Sequence, residues 1–197
     1  MNVVVITDRR LCDDLLERIA AIARVPGVMF QVREKDLDGG ALLALTRAVI
    51  AAANGAPVWV NDRVDVARLA GASGVHLPEA GLPIDVVRAL APELAIGCSR
   101  HDADAARAAA DAGADLVQLG PCFATPGKPT LGLAPLATKI AARLVAVGGI
   151  TGPDEARAAR RAGADAVAVI RAAWTSVDPA SAIAAIADAV STSSAAS

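Results

Sequence analysis

A single-domain (βα)₈ barrel is the fold class this sequence predicts, and three observations predict it. Eight short β-branched runs recur along the 197 residues, and alanine-rich stretches of helical length separate them. The eight units are nearly equal and leave no room for a second domain. Alternation of this kind specifies a parallel sheet, and its count of eight matches barrel closure better than an open doubly wound sheet. The open-sheet alternative also lacks its usual mark, because no G-x-G-x-x-G follows the first run.

In chain order the strands are read over 3–7, 29–33, 57–61, 74–77, 95–99, 116–120, 144–148 and 166–170. Each is short, rich in Val, Ile and Leu, and bounded by Gly, Pro, Asn or Asp. The segments between them, such as 102–112 and 154–162, have room for about three helical turns. A phrase then recurs as Ala70-Gly71-Ala72-Ser73, Ala112-Gly113-Ala114-Asp115 and Ala162-Gly163-Ala164-Asp165, where glycine suits the end of a helix. This is an αβ turn at the bottom of a barrel, the end that serves stability. The barrel is read over residues 1–190, and 191–197 as a disordered tail too poor in apolar residues to pack.

Composition removes several functional classes. Hydrophobic residues make up 54% of the chain, yet much of this is alanine, and no run approaches the roughly 18 uncharged apolar residues a membrane span needs. Only 3–6 is continuously apolar before Asp8, Arg9 and Arg10, so no signal peptide is read and a cytoplasmic enzyme is expected. A net charge of −2, two Phe, two Trp and no Tyr give neither the basic footprint nor the stacking platform of a nucleic-acid binder. The three cysteines have no zinc-type pairing, and Cys98-x-x-His101 stands without a second pair. Nothing in the sequence fixes the oligomeric state, and a homo-oligomer is compatible with it.

Strand side chains alternate between the helix layer and the barrel interior, so reading every second residue finds the inward polar groups. Gln31, Arg33 and Lys35 share one face. Two cations at a buried strand end require anionic partners, either neighbouring carboxylates such as Glu34 or Asp8, or a bound phosphate. Trp59 and Asn61 share a face at the end of the third strand, and Asp62 follows as a turn residue or a metal ligand, with turn chemistry the simpler reading. His76 lies within the fourth strand, where a lone histidine is more often a satisfied core residue than a catalyst. Ser99-Arg100-His101 follows the fifth. After the sixth comes a long loop, 120–132, carrying Thr125, Lys128 and Thr130 among glycines and prolines, and it is the candidate mobile cover. Gly148-Gly149 follow the seventh strand, and Ile170-Arg171 end the eighth. Backbone N–H groups in these two loops often form a phosphate cup in this fold, with Arg171 adding a cation.

Seven motifs, taken together and in order, carry a resemblance. They are Ile6-Thr7-Asp8-Arg9, Gln31-Val32-Arg33-Glu34-Lys35-Asp36, Val60-Asn61-Asp62-Arg63, Gly74-Val75-His76-Leu77, Ile96-Gly97-Cys98-Ser99, Gly120 through Lys128, and Val147-Gly148-Gly149-Ile150-Thr151. The chain resembles the thiamin phosphate synthase/TenI superfamily over nearly its whole length. That resemblance implies a barrel enzyme of thiamin biosynthesis, whose partners are phosphorylated pyrimidine and thiazole molecules and whose cofactor is Mg²⁺. It further implies that Arg33, Lys35, Asn61 and Lys128 hold a diphosphate, that Asp62 ligates Mg²⁺, and that Ser99 and Thr125 contact substrate or leaving group. Gly149 and Ile170 would offer backbone to a thiazole phosphate.

The sequence also departs from the pattern the resemblance supplies. Where that pattern has a second acidic Mg²⁺ ligand after the fourth strand, this chain has Gly81. The loop phrase is Thr125-Pro126-Gly127-Lys128 instead of threonine-x-threonine-lysine, and Arg171 stands where a serine is expected. The main reading is a transferase coupling hydroxymethylpyrimidine diphosphate to thiazole phosphate with release of diphosphate. The alternatives are a metal-independent TenI-type thiazole tautomerase, in which His76 or His101 would move protons, and a non-catalytic barrel that binds thiamin phosphates. The tautomerase pattern is itself interrupted, since its sixth-strand histidine is Pro121 here.

Overall fold

The computed structural model describes residues 1–127 and 129–191. Eight parallel strands, β1 Val3–Ile6, β2 Val28–Val32, β3 Val58–Asn61, β4 Gly74–Leu77, β5 Ala95–Arg100, β6 Leu116–Leu119, β7 Arg143–Val147 and β8 Ala166–Val169, close in sequence order into a barrel. The expected strands therefore form, each within about one residue of its reading. Around them lie α1 Leu15–Ile22, α2 Gly39–Ala52, α3 Val64–Ala70, α4 Ile84–Leu90, α5 Ala103–Asp111, α6 Pro153–Ala162, the single turn α7 Arg171–Trp174, and α8 Pro179–Ser191. Among the described residues no α-helix joins β6 to β7. That crossing consists of the 120–132 loop and a 3₁₀ turn at Ala134–Ala137, because Pro121, Pro126, Pro129 and Pro135 with three glycines withdraw the donors and dihedrals a helix needs.

Apolar burial falls into two shells. The larger packs the outward strand residues, Val3, Val5, Phe30, Val32, Val60 and Val75 among them, against the helices. The smaller fills the barrel with Val4, Ile6, Met29, Trp59, Leu116, Val145, Ala166 and Ala168, all on the alternate phase. Trp59 is the bulk of that plug. Neighbouring strands make room for it with Gly74 and Gly97, where a Cβ would lie 2.6 Å from the indole ring. The interior is thus packed from below, and its open, polar end is left at the strand C-termini.

The repeated αβ turn does more than end a helix. Asp115 and Asp165 each accept from the backbone N–H near the start of the preceding strand, Ile96 at 2.8 Å and Leu144 at 2.9 Å, tying neighbouring strands at the barrel floor. Ser191, read as the first residue of the tail, closes α8, and its hydroxyl accepts from Asn2 Nδ2 at 2.7 Å. Residues 192–197, the rest of the expected tail, lie outside the described residues. Among the described residues no helix is long and apolar enough to cross a membrane.

Candidate active site

The C-terminal mouth of the barrel collects cations. β2 ends at Val32, and the next backbone N–H, that of Arg33, donates to the buried Thr7 hydroxyl at 2.9 Å, pinning the two strand ends together. Arg33 is half-buried and Lys35 exposed. Arg100, the last residue of β5, turns over its own strand, Nη1 donating to the Ser99 carbonyl at 2.7 Å, and lines one cavity with Arg33, Asn61, Ser99 and Gln118. Among the described residues none of Arg33, Lys35, Arg100 and Arg171 forms a salt bridge. Lys128, expected to join them, lies outside the described residues.

Beneath these cations is a layer of buried polar side chains. Gln118 Nε2 donates to Gln31 Oε1 at 2.7 Å, and Gln31 Nε2 donates to Asn61 Oδ1 at 3.3 Å, a chain crossing the barrel. Each of these residues takes the inward phase of its strand. His76, 1% exposed, places Nε2 2.8 Å from Ser99 Oγ, while its Nδ1 has no hydrogen-bond partner among the described residues. Burial, with the nearby Arg33 and Arg100 charges adding to it, pushes the His76 pKa down to about 3. The ring is neutral near pH 7 and hydrogen-bonded to the Ser99 hydroxyl. His101 lies at the rim, Nδ1 against the Gly120 carbonyl and Nε2 3.6 Å from Glu79.

A second cavity adjoins the first on the β7–β8 side. Its volume is about 360 Å³, against about 250 Å³ for the cavity of Arg33 and Arg100, and the two share Thr125, Val147, Gly148 and Ile170 as a common wall. Gly148 and Gly149 have φ of 95° and 71°, which few side chains tolerate. They also lie close to the loop after β6: a Cβ on Gly148 would lie 2.5 Å from Pro121 Cβ, and one on Gly149 2.7 Å from the Ala124 carbonyl oxygen. That loop continues the β6–β7 ladder, since the Cys122 and Phe123 N–H groups donate to the Val147 and Gly148 carbonyls at 2.8 and 3.1 Å. Its base is fixed while its tip reaches both cavities through Thr125. Arg171, exposed, stands at the edge of the larger cavity.

Asp62 follows β3 with a φ of 68°, and its backbone N–H donates to the His76 carbonyl at 2.8 Å. It lines a third depression of about 280 Å³ with Lys35, Asn61, Arg63 and Pro78. Among the described residues no group of three or more His, Cys, Asp or Glu side chains could hold a metal ion. Residue 81 offers no side-chain donor, and Glu34, which lines the same depression as Asp62, is already bonded to Arg9. This donor set does not fit a protein-only cage. It does fit Mg²⁺, which commonly takes one or two carboxylates and completes its shell with substrate phosphate and water.

The structure thus brings Gln31, Arg33, Asn61, Ser99, His101, Thr125, Gly148 and Ile170 to one cavity, and Gly149 and Arg171 to the adjoining one. Lys35 and Asp62 flank the first, and His76 lies below its floor. Reading the sequence missed Gln118 and Arg100. Gln118 had a signal, a single polar residue on the inward phase of an apolar strand; Arg100 had none, because alternation assigns it to the outer face.

Comparisons with known proteins agree in direction. The family model described as thiamine monophosphate synthase matches residues 3–173. The chain is 47% identical over 158 residues, 76% of its length, to a thiamine-phosphate synthase of Anaeromyxobacter dehalogenans, of which 71% is covered. It is 39% identical over 199 residues to the thiamine-phosphate synthase of Roseiflexus castenholzii, covering 94% of this chain and 86% of that one. Among solved structures, thiamine phosphate pyrophosphorylase from Pyrococcus furiosus superposes with a TM-score of 0.88 at 31% identity, covering 96% of this chain and 95% of the other. A 3-hexulose-6-phosphate synthase superposes with a TM-score of 0.78 at 21% identity and shares the fold alone.

Proposed function

The chain belongs to the thiamine monophosphate synthase family, and we propose that it couples hydroxymethylpyrimidine diphosphate to a thiazole phosphate, releasing diphosphate. The observation that carries this reading is the pair of cavities sharing one wall. One is lined by cations outside any salt bridge among the described residues, suited to a diphosphate, and the other by glycine backbone and Arg171, suited to a monophosphate, with Asp8, paired to Arg10, also on its lining. Two substrates bound on either side of Thr125, Gly148 and Ile170 would meet across that wall.

The residue types suit a reaction in which the bond from the pyrimidine methylene to the diphosphate oxygen breaks and the thiazole nitrogen bonds to that carbon. Charge accumulates on the leaving group, so fixed cations aimed at it lower the barrier, and no strong base is required. Arg33, Lys35 and Arg100 fill that role, with Asn61 donating from its amide; the family resemblance adds Lys128, which lies outside the described residues. Neutral His76 fixes the Ser99 hydroxyl, which contacts the pyrimidine diphosphate from the cavity floor. Thr125 and the loop that carries it cover both substrates and exclude water. Gly149 and Ile170 present backbone to the thiazole phosphate, and Arg171 adds a charge where a neutral hydroxyl would give only a hydrogen bond. Asp62 would hold Mg²⁺ together with the diphosphate, and the ion would supply further neutralisation of the leaving anion. Of the two histidines a tautomerase would use, His76 is neutral near pH 7 and neither lines the larger cavity.

Asp62→Ala tests this reading. The variant is expected to lose at least about a hundredfold in kcat/KM for the pyrimidine diphosphate, as removal of a strong electrostatic contributor commonly does. Undiminished turnover in Asp62→Ala would remove the metal role assigned to it.

A further inference from the structure

The cations at the end of β2 sit in a run of alternating sign, Arg33-Glu34-Lys35-Asp36, with Asp8 close by at the end of β1. Acids so near would ordinarily pair with Arg33 and Lys35 and neutralise an anion site before any substrate reached it. The structure shows all three acids engaged by other residues. Glu34, its side chain 2% exposed, accepts from both the backbone N–H and the Nη1 of Arg9 at 3.1 Å. The same guanidinium grips Asp36 with two parallel bonds of 2.8 Å, Nη1 to Oδ1 and Nη2 to Oδ2. Asp8 pairs with Arg10 at 2.9 Å.

We propose that Arg9 is a positioning residue that sorts the charges of this segment, engaging Glu34 and Asp36 so that Arg33 and Lys35 stay unpaired for a diphosphate. This rests on the function proposed above. Three features support it. A carboxylate buried like Glu34 requires a partner, and Arg9 supplies two bonds to it, so Glu34 is not paired with Lys35 although both line one depression. A planar guanidinium can bind one carboxylate with two bonds and still reach a second, which an ammonium cannot do. The bond to Arg9 also holds the Asp36 carboxyl down at about 2, so the acid stays ionised and paired throughout the working range. Arg9 itself lies on the one-turn 3₁₀ segment Arg9–Leu11, outside both substrate cavities.

The test uses steady-state kinetics of Arg9→Met and of the triple variant Arg9→Met/Glu34→Gln/Asp36→Asn, with inorganic diphosphate binding measured by calorimetry at low and high salt. Arg9→Met is expected to raise KM for the pyrimidine diphosphate and the Kd for inorganic diphosphate about tenfold, with kcat and the thiazole phosphate KM nearly unchanged. The defect should shrink as salt screens the two released carboxylates. The triple variant, which removes those charges, is expected to return to within about threefold of the unaltered enzyme. An unchanged KM in Arg9→Met, or a triple variant as weak as the single one, would overturn the proposal. If Arg9→Met does not fold, Arg9→Lys should fold and raise KM about threefold, by loss of the two-bond grip; an unchanged KM in that variant overturns the proposal equally. Failure of the unaltered enzyme to turn over would sink the functional reading alone, because diphosphate binding by enzyme and variants still reports on Arg9.

Discussion

His76 is buried between two cations with one ring nitrogen unpartnered, and this has a cost that pH can reveal. A histidine ordinarily titrates near 6.5, whereas His76 in the fold titrates near 3. Between those values the unfolded chain holds a proton that the folded chain refuses, so His76's contribution to stability is complete above pH 6.5 and declines as pH falls toward 3. Over the interval from pH 6.5 to 5 the decline amounts to about 2 kcal/mol. Urea unfolding of His76→Asn at the two pH values is expected to show a correspondingly smaller loss; equal losses in variant and parent would contradict the assignment. Residues of this kind were legible in the sequence only as far as strand alternation reaches. It places Gln31, Asn61, His76 and Ser99 facing inward, and it does the same for Gln118. It puts Arg100 on the outer face although that side chain lines the cavity, and it says nothing of Arg9, whose partners Glu34 and Asp36 are distant in the chain.

At the scale of elements, the end of β7 and the loop after β6 form one unit. Loop residues 121–124 pass directly against Gly148 and Gly149, so the two glycines and the loop path require each other. Gly149→Ala combines a φ of 71° with a Cβ 2.7 Å from a carbonyl oxygen, and something must shift. The expected result is a rise of about tenfold or more in KM for the thiazole phosphate, with a smaller effect on the pyrimidine diphosphate, because displacing the cup by even 1 Å can cost this much. Equal effects on both substrates would show that the loop and not the cup had moved. The length of the loop and its proline and glycine content announce it in the sequence. That it hangs on the β7 carbonyls does not, since backbone pairing leaves no trace in side-chain type.

The whole molecule is a barrel plugged from below and chemically open above. Trp59 fills the interior that Gly74 and Gly97 vacate, which gives the polar layer of Gln31, Gln118, Asn61 and His76 a firm floor. Gly97→Ala, with its new methyl 2.6 Å from the indole and 2.9 Å from His76 Nδ1, is expected to destabilise the fold by about 1–3 kcal/mol in denaturant unfolding; no loss would mean that the plug is loose. The barrel itself was the most legible feature, because eight β-branched runs and the repeated Ala-Gly-Ala turn each encode it independently. The joining of two cavities by one wall was not legible, since it depends on how strand ends from opposite sides of the chain meet. That wall is also where the central claim is tested. Mixing the purified protein with hydroxymethylpyrimidine diphosphate, thiazole phosphate and Mg²⁺ and following ³¹P resonances should show the diphosphate ester signal replaced by inorganic diphosphate, as a thiamin phosphate signal replaces that of thiazole phosphate in equal amount. Persistence of both substrate signals with fresh substrates and metal present would contradict the claim that these two cavities bring the two substrates together for reaction.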